Sequence, residues 1–146
     1  MVMRSVLVSV FLLFAGSAAA EMPPIFSDGD GAIRGYDAVA YFIQGKPVRG
    51  SKQFTHQWRG ASWRFASAEN RDRFAAMPEK YAPQYGGYCA YGVAQGYAVK
   101  IEPEAWSIVD GRLYLNYSLG VQEDWKQDVP GYLRKADANW PKVLAR

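Results

Sequence analysis

Polar and apolar residues alternate over two neighbouring stretches, and this period of two predicts a β-hairpin. Residues 53–58 (QFTHQW) place two aromatic rings and His56 on one face of the first strand. Residues 63–66 (WRFA) form the second strand, with a tryptophan and a phenylalanine on one face. Because aromatic rings dominate both faces, we expect these faces to point toward the core, with His56 among them.

A second hairpin is predicted further along the chain. Residues 105–109 (AWSIV) and 112–116 (RLYLN) flank the pair Asp110-Gly111. Asp-Gly supplies the positive φ angles that a type I′ turn requires. A further apolar stretch, residues 36–43 (YDAVAYFI), predicts an additional strand at the start of the domain.

Helix signals fall between and after the hairpins. Ser67 is a good N-cap for a helix that runs to about Met77, and Pro78 suits the first turn of the next helix. The glycines near 87 and 96 bracket a short predicted helix. Residues 120–139 are helical in pattern, with a break at Asp-Val-Pro. Together, the predicted strands and helices indicate an α+β fold, which is a small, mostly antiparallel sheet with inserted and C-terminal helices.

The N-terminus has the three parts of a secretory signal. Arg4 supplies the positive charge, residues 6–14 (VLVSVFLLF) are apolar, and residues 18–20 are small alanines. The apolar run is too short for a spanning helix, which needs about 20 residues. We therefore predict a cleaved signal peptide over 1–20 and a periplasmic or secreted protein with no membrane span after cleavage.

Length and charge limit the remaining possibilities. The chain has 146 residues, which predicts a single domain over 35–146, preceded by a flexible lead-in over 21–34. Its 17 basic and 14 acidic residues are interleaved and give a net charge of +3. This pattern is typical of a mixed solvated surface and argues against a nucleic-acid-binding patch.

The chain has one cysteine, Cys89, so it cannot form an intramolecular disulfide. Cys89 follows a Gly-Gly pair and lies among tyrosines. If a helix starts near Gly87, its dipole would favour a thiolate with a lowered pKa. The alternative is a buried cysteine that acts only as a small apolar side chain.

Two further residues are candidates for the same chemistry. His56, the single histidine, could orient a thiolate, act as a base, or bind a soft metal together with Cys89. Asp37 could orient His56 or serve as a third ligand. The alternatives are a hydrogen-bonded core histidine and a carboxylate at the start of a strand.

The chain resembles the YHS domain family. Residues 63–67 (WRFAS) and 74–81 (FAAMPEKY) match motifs of that family. Residues 35–42 (GYDAVAYF), 86–90 (GGYCA) and 137–141 (DANWP) are similar to an exported bacterial subgroup of it. The resemblance implies that the single domain over 35–146 is YHS-like.

This resemblance implies metal handling, often beside copper transport, and some family members hold metals through three cysteines. Those three positions are Ala40, Ala66 and Asn70 in this sequence, so the family's ligands are not carried over. In the exported subgroup the position of Cys89 is sometimes selenocysteine. That substitution implies a reactive nucleophile or a soft ligand.

Three functions are therefore open. The first is binding of a soft metal ion such as copper through Cys89, with His56 and Asp37 as further ligands. The second is thiol redox chemistry, in which Cys89 reacts with a small thiol or oxidant. The third is a non-catalytic interaction or structural domain with an aromatic cleft. Metal binding is favoured, and an enzymatic activity is the less favoured expectation.

Overall fold

The structure is a computed structural model that describes residues 9–10 and 21–145. The predicted signal peptide, 1–20, lies outside the described residues except for two of them. Within the described part, six α-helices and three two-stranded antiparallel sheets form an α+β fold, which confirms the predicted fold class. None of the helices in these ranges is both long enough and apolar enough to cross a membrane.

The segment predicted as a flexible lead-in, 21–34, packs onto the rest of the domain. Strand β1 (Ser27–Asp28) pairs antiparallel with strand β2 (Gly31–Ala32). Ile25 and Ile33 are buried in the core. The segment therefore contributes to the folded unit instead of preceding it.

The predicted strand over 36–43 is wrong, because these residues form helix α1 (Ala38–Ile43). Asp37 is its N-cap and accepts hydrogen bonds from the backbone N–H groups of Val39 and Ala40. This cap starts the helix. The run Ala38–Ile43 is apolar throughout, although Ile43 is exposed, and without polar positions its pattern does not distinguish a helix from a strand.

The first predicted hairpin is confirmed. Strands β3 (Ser51–Trp58) and β4 (Ala61–Phe65) pair antiparallel around a two-residue turn. Both turn residues, Arg59 and Gly60, have positive φ angles, 48° and 76°. His56 is half-buried and lies on the same face as the aromatic residues of β3, as predicted.

The helices after this hairpin also match the sequence signals. Helix α2 (Ala68–Ala76) is capped by Ser67, whose hydroxyl accepts a hydrogen bond from the N–H of Asn70. Helix α3 (Pro78–Tyr81) begins at its proline, as expected for a first-turn position.

The short helix predicted from Gly87 begins three residues later. A 3-10 turn spans Gln84–Gly87, and helix α4 (Ala90–Ala94) follows it. Cys89 is therefore the N-cap of α4 and does not lie in its first turn.

The second hairpin is confirmed as well. Strands β5 (Glu102–Val109) and β6 (Arg112–Asn116) pair antiparallel. Asp110 and Gly111 have φ angles of 50° and 75°, as a type I′ turn requires. The register pairs Trp106 with Leu115 and Ile108 with Leu113.

The C-terminal part is two helices, α5 (Leu119–Lys126) and α6 (Val129–Asn139). The predicted break between them is present, and Asp128 caps α6 by accepting a hydrogen bond from the N–H of Gly131. Two buried clusters hold the fold together. One lies around Trp63, Phe65 and Phe74, and the other around Tyr85, Tyr114 and Trp125.

Candidate functional site

Asp37 is fully buried and its carboxylate is saturated with hydrogen bonds. Oδ1 accepts from the backbone N–H groups of Val39 (2.9 Å) and Ala40 (3.1 Å). Oδ2 accepts from the N–H of Ala66 (2.9 Å) and from Nδ2 of Asn70 (2.8 Å). A carboxylate offers about four acceptor positions, so these four donors use its capacity. Asp37 thus joins α1, the end of β4 and α2.

The same contacts involve the three positions at which metal-binding members of the YHS family, which this chain resembles, have cysteines. Residues 40, 66 and 70 lie around one point, and each donates a hydrogen bond to Asp37. Two are alanines and the third is Asn70. In this chain the place is therefore filled by a buried carboxylate and its donors, and no thiolate is present there.

His56 lies on β3, where its register partner on β4 is Trp63. Its ring packs at a steep angle against Phe74, with 6.1 Å between the ring centroids. Within the described residues, neither Cys89 nor Asp37 is a hydrogen-bond partner of His56. Its surroundings are those of a half-buried aromatic contact on the hairpin face.

Cys89 is 0% exposed, and its sulfur has three polar neighbours. Sγ accepts hydrogen bonds from the backbone N–H groups of Gly92 (3.3 Å) and Tyr117 (3.2 Å). The thiol donates to Oδ1 of Asn116, 3.4 Å away. The sulfur therefore joins the start of α4 to the end of β6, as part of a buried hydrogen-bond network.

The pKa of the Cys89 thiol is raised, chiefly because burial disfavours the thiolate. The backbone N–H groups of Gly92, Tyr117 and Tyr91 act in the opposite direction, but burial outweighs them. The sequence left two alternatives open for Cys89, which were a thiolate with a lowered pKa in the first turn of a helix and a buried cysteine. The lowered pKa is the wrong direction for this thiol, because its sulfur has no access to water and burial outweighs the helix dipole.

The three predicted residues occupy three separate environments. In the ranges 9–10 and 21–145, no three or more histidine, cysteine, aspartate or glutamate side chains are grouped so that they could hold a metal ion. Cys89 is at the start of α4, His56 is against α2, and Asp37 is at the start of α1.

The structure instead shows a cavity of about 450 Å³ that opens to solvent. Residues from four parts of the chain line it, within 24–25, 58–59, 79–86 and 137–144. Its position follows from the fold, because the β3–β4 turn, the segment after α3 and the end of α6 meet there.

Three aromatic residues, Trp58, Tyr85 and Trp140, are among the residues that line the cavity. Trp140 lies 6.1 Å from Tyr85 between ring centroids, and the two rings meet at a steep angle. Trp58 contributes a second indole, and the guanidinium of Arg59 lies 4.3 Å from the centroid of that ring. Arg59 also forms an ion pair with Glu79, at 2.9 Å.

Asp137 supplies an exposed carboxylate to the cavity, and Tyr85 fixes its position. The Tyr85 hydroxyl donates a hydrogen bond of 2.8 Å to Oδ1 of Asp137. Burial raises the pKa of Tyr85, and the bond to Asp137 raises it further. The phenol therefore keeps its proton at neutral pH and remains the donor in this pair.

Gly86 allows the chain to pass closely beneath the cavity. Its φ angle is +64°, and a Cβ at this position would overlap the carbonyl oxygen of Pro24 and lie 3.2 Å from the ring of Trp140. The Gly86 carbonyl accepts a 2.8 Å hydrogen bond from the N–H of Phe26. Glycine is thus required here for both conformation and space.

We expect Gly86→Ala to lower the free energy of unfolding by at least about 2 kcal/mol more than Gly45→Ala. Gly45 is a matched control, because its φ angle is +66° but no atom lies within 4 Å of the place that an added Cβ would take. It reports only the cost of a positive φ angle, roughly 1 kcal/mol. Urea unfolding measures both; equal losses would contradict the close packing at Gly86.

The sequence suggested an aromatic cleft but did not indicate which residues line it. Asp137 and Trp140 stand in one segment that the YHS resemblance marked, 137–141, and Tyr85 directly precedes another, 86–90, but nothing indicated that those segments meet. The one sequence feature that could have indicated the cavity is that both parts of the chain contain aromatic residues and one of them also contains a carboxylate. Comparisons with family models, curated proteins and solved structures gave no match, so membership of the YHS family stays a prediction.

Proposed function

We propose that this protein is a non-catalytic binding domain that holds a small molecule in the aromatic cavity. The observation that carries the proposal is a cavity of about 450 Å³ with indole and phenol walls and a carboxylate at Asp137. Its volume is within the range of about 300–1,000 Å³ that is typical of small-molecule sites. The predicted export signal adds a setting, the periplasm or the exterior, in which such a domain would meet its ligand.

The burial of Cys89 and the raised pKa of its thiol favour this proposal over thiol redox chemistry. A redox cysteine needs a thiolate that a reagent can reach. The Cys89 sulfur is 0% exposed, and its pKa is raised by burial. Its three hydrogen bonds give it a structural role, namely to join α4 to β6.

Copper binding at Cys89 stays a prediction from the sequence, and it is the less favoured function. A cuprous ion would have to enter the core, replace the thiol proton and break the bond to Asn116. His56 contacts Phe74 and Asp37 is saturated by four donors, so both would have to leave their present partners to join it.

A fragment screen by two-dimensional NMR of the ¹⁵N-labelled protein tests the proposal. We expect bound fragments to shift the amide signals of Gln84, Gly86 and Leu144, which line the cavity. The amides of Gly92 and Tyr117, which bond to the Cys89 sulfur, serve as internal controls and should not move. Fragments that shift only the control amides, or no binding by any fragment, would contradict the proposal.

A further inference from the structure

The charges that line the cavity do not cancel. Arg59 and Glu79 are paired with each other at 2.9 Å. Asp137 also lines the cavity, and among the described residues no basic side chain forms an ion pair with it. Its Oδ1 accepts a hydrogen bond from the Tyr85 hydroxyl. Because this donor is neutral, the bond does not neutralise the negative charge of Asp137. Among the described residues, the cavity lining therefore carries one carboxylate without an ion-pair partner. Arg112, which is outside the lining, acts electrostatically on Tyr85 and so lies in the neighbourhood of this carboxylate.

One cation of the protein, the guanidinium of Arg59, already contacts an aromatic ring of the cavity lining. The planar guanidinium of Arg59 lies 4.3 Å from the centroid of Trp58 while it bonds to Glu79. An indole face and a carboxylate together favour an organic cation, because the ring's negative face and the carboxylate attract the same charge.

Trp140 and Asp137 offer the same two groups. In the part of the chain that the structure describes, no basic side chain forms an ion pair with Asp137 or stacks on Trp140. Asp137 lies in the last turn of α6, and Trp140 is the extended residue that directly follows the helix. Both line the cavity. Tyr85 touches each of them, since its hydroxyl bonds to Asp137 and its ring packs against Trp140.

We propose that the ligand is a small organic cation, a guanidinium or an ammonium compound. Its charge pairs with Asp137, and its apolar part packs against Trp140. This inference rests on the proposed function. An anion is disfavoured, because Arg59, the one basic side chain that the described residues place in the cavity wall, is already paired with Glu79.

Calorimetric titration of the full chain with two matched probes tests the inference. Phenylguanidine carries a positive charge at neutral pH, and phenylurea has nearly the same shape without one. We expect phenylguanidine to bind about tenfold more tightly than phenylurea, since a carboxylate and an indole both select its charge. The preference should weaken with added salt, because the carboxylate is exposed.

Asp137→Asn should remove most of the preference, because the amide keeps an oxygen for the Tyr85 hydroxyl but loses the charge, which leaves only the indole of Trp140 to select a cation. Asp124→Asn is the matched control, since Asp124 is an exposed carboxylate on α5 outside the cavity lining. It should keep the full preference. Equal binding of the two probes, a preference that is undiminished in Asp137→Asn, or binding of neither probe would overturn the cation assignment. The fragment screen decides separately whether the cavity binds ligands of another class.

Discussion

Replacement of Asp37 by alanine is expected to lower the free energy of unfolding by about 3–5 kcal/mol. The variant removes the N-cap of α1 and leaves the N–H of Ala66 and the side-chain amide of Asn70 without their acceptor in the core. An unpaired buried polar group costs roughly 1–3 kcal/mol, so the losses exceed those of a cap alone. Urea unfolding followed by tryptophan fluorescence measures the difference.

Asp128→Ala is the matched control for this prediction. Asp128 also caps a helix, α6, but it is exposed, and the backbone bond that it accepts comes from Gly131. Its loss should cost about 1 kcal/mol, the usual value for an N-cap. If Asp37→Ala cost no more than Asp128→Ala, Asp37 would be an ordinary cap and not the buried junction of three elements.

The Cys89 thiol is expected to react with a disulfide reagent at least about 1,000-fold more slowly in the folded protein than in urea. The sulfur is 0% exposed, so labelling must wait for an opening of the structure. Stopped-flow or manual labelling at neutral pH measures both rates. A folded-state rate near that of the unfolded chain would show that the sulfur is reachable and would restore the redox hypothesis.

The same thiol gives a pH dependence with a definite sign. The pKa of Cys89 is raised in the folded state, so the folded protein holds this proton more tightly than the unfolded chain does. Its contribution to stability is therefore complete at neutral pH and is lost as the pH rises above the ordinary pKa of a thiol. Compared with Cys89→Ser, the wild type should lose stability between neutral and strongly alkaline pH. The opposite trend would indicate a stabilised thiolate.

The sequence predicted those elements of the fold that local chemistry determines. The Asp110-Gly111 turn defined a hairpin and its register, because few residues accept two positive φ angles in succession. Ser67 and Asp128 marked helix starts, because their side chains satisfy backbone donors within three residues. These signals need no knowledge of the rest of the chain.

The prediction failed where the deciding partner is distant in sequence. Asp37 was expected at the start of a strand, but its role depends on Ala66 and Asn70, which are 29 and 33 residues away. The pKa of Cys89 depends on burial and on Tyr117, 28 residues away. The cavity depends on the contact of Tyr85 with Asp137, 52 residues away. A single sequence does not show such long-range contacts.

We propose that a ligand binds in the cavity and that the role of Cys89 is structural. The most direct test is a titration of the tightest fragment from the screen into wild type, Cys89→Ser and Trp140→Ala, with the fold of each variant checked by its amide spectrum. We expect an affinity that is unchanged in Cys89→Ser and about tenfold weaker in Trp140→Ala, because an aromatic ring of the cavity lining is lost. Binding that is lost in Cys89→Ser and kept in Trp140→Ala would contradict it.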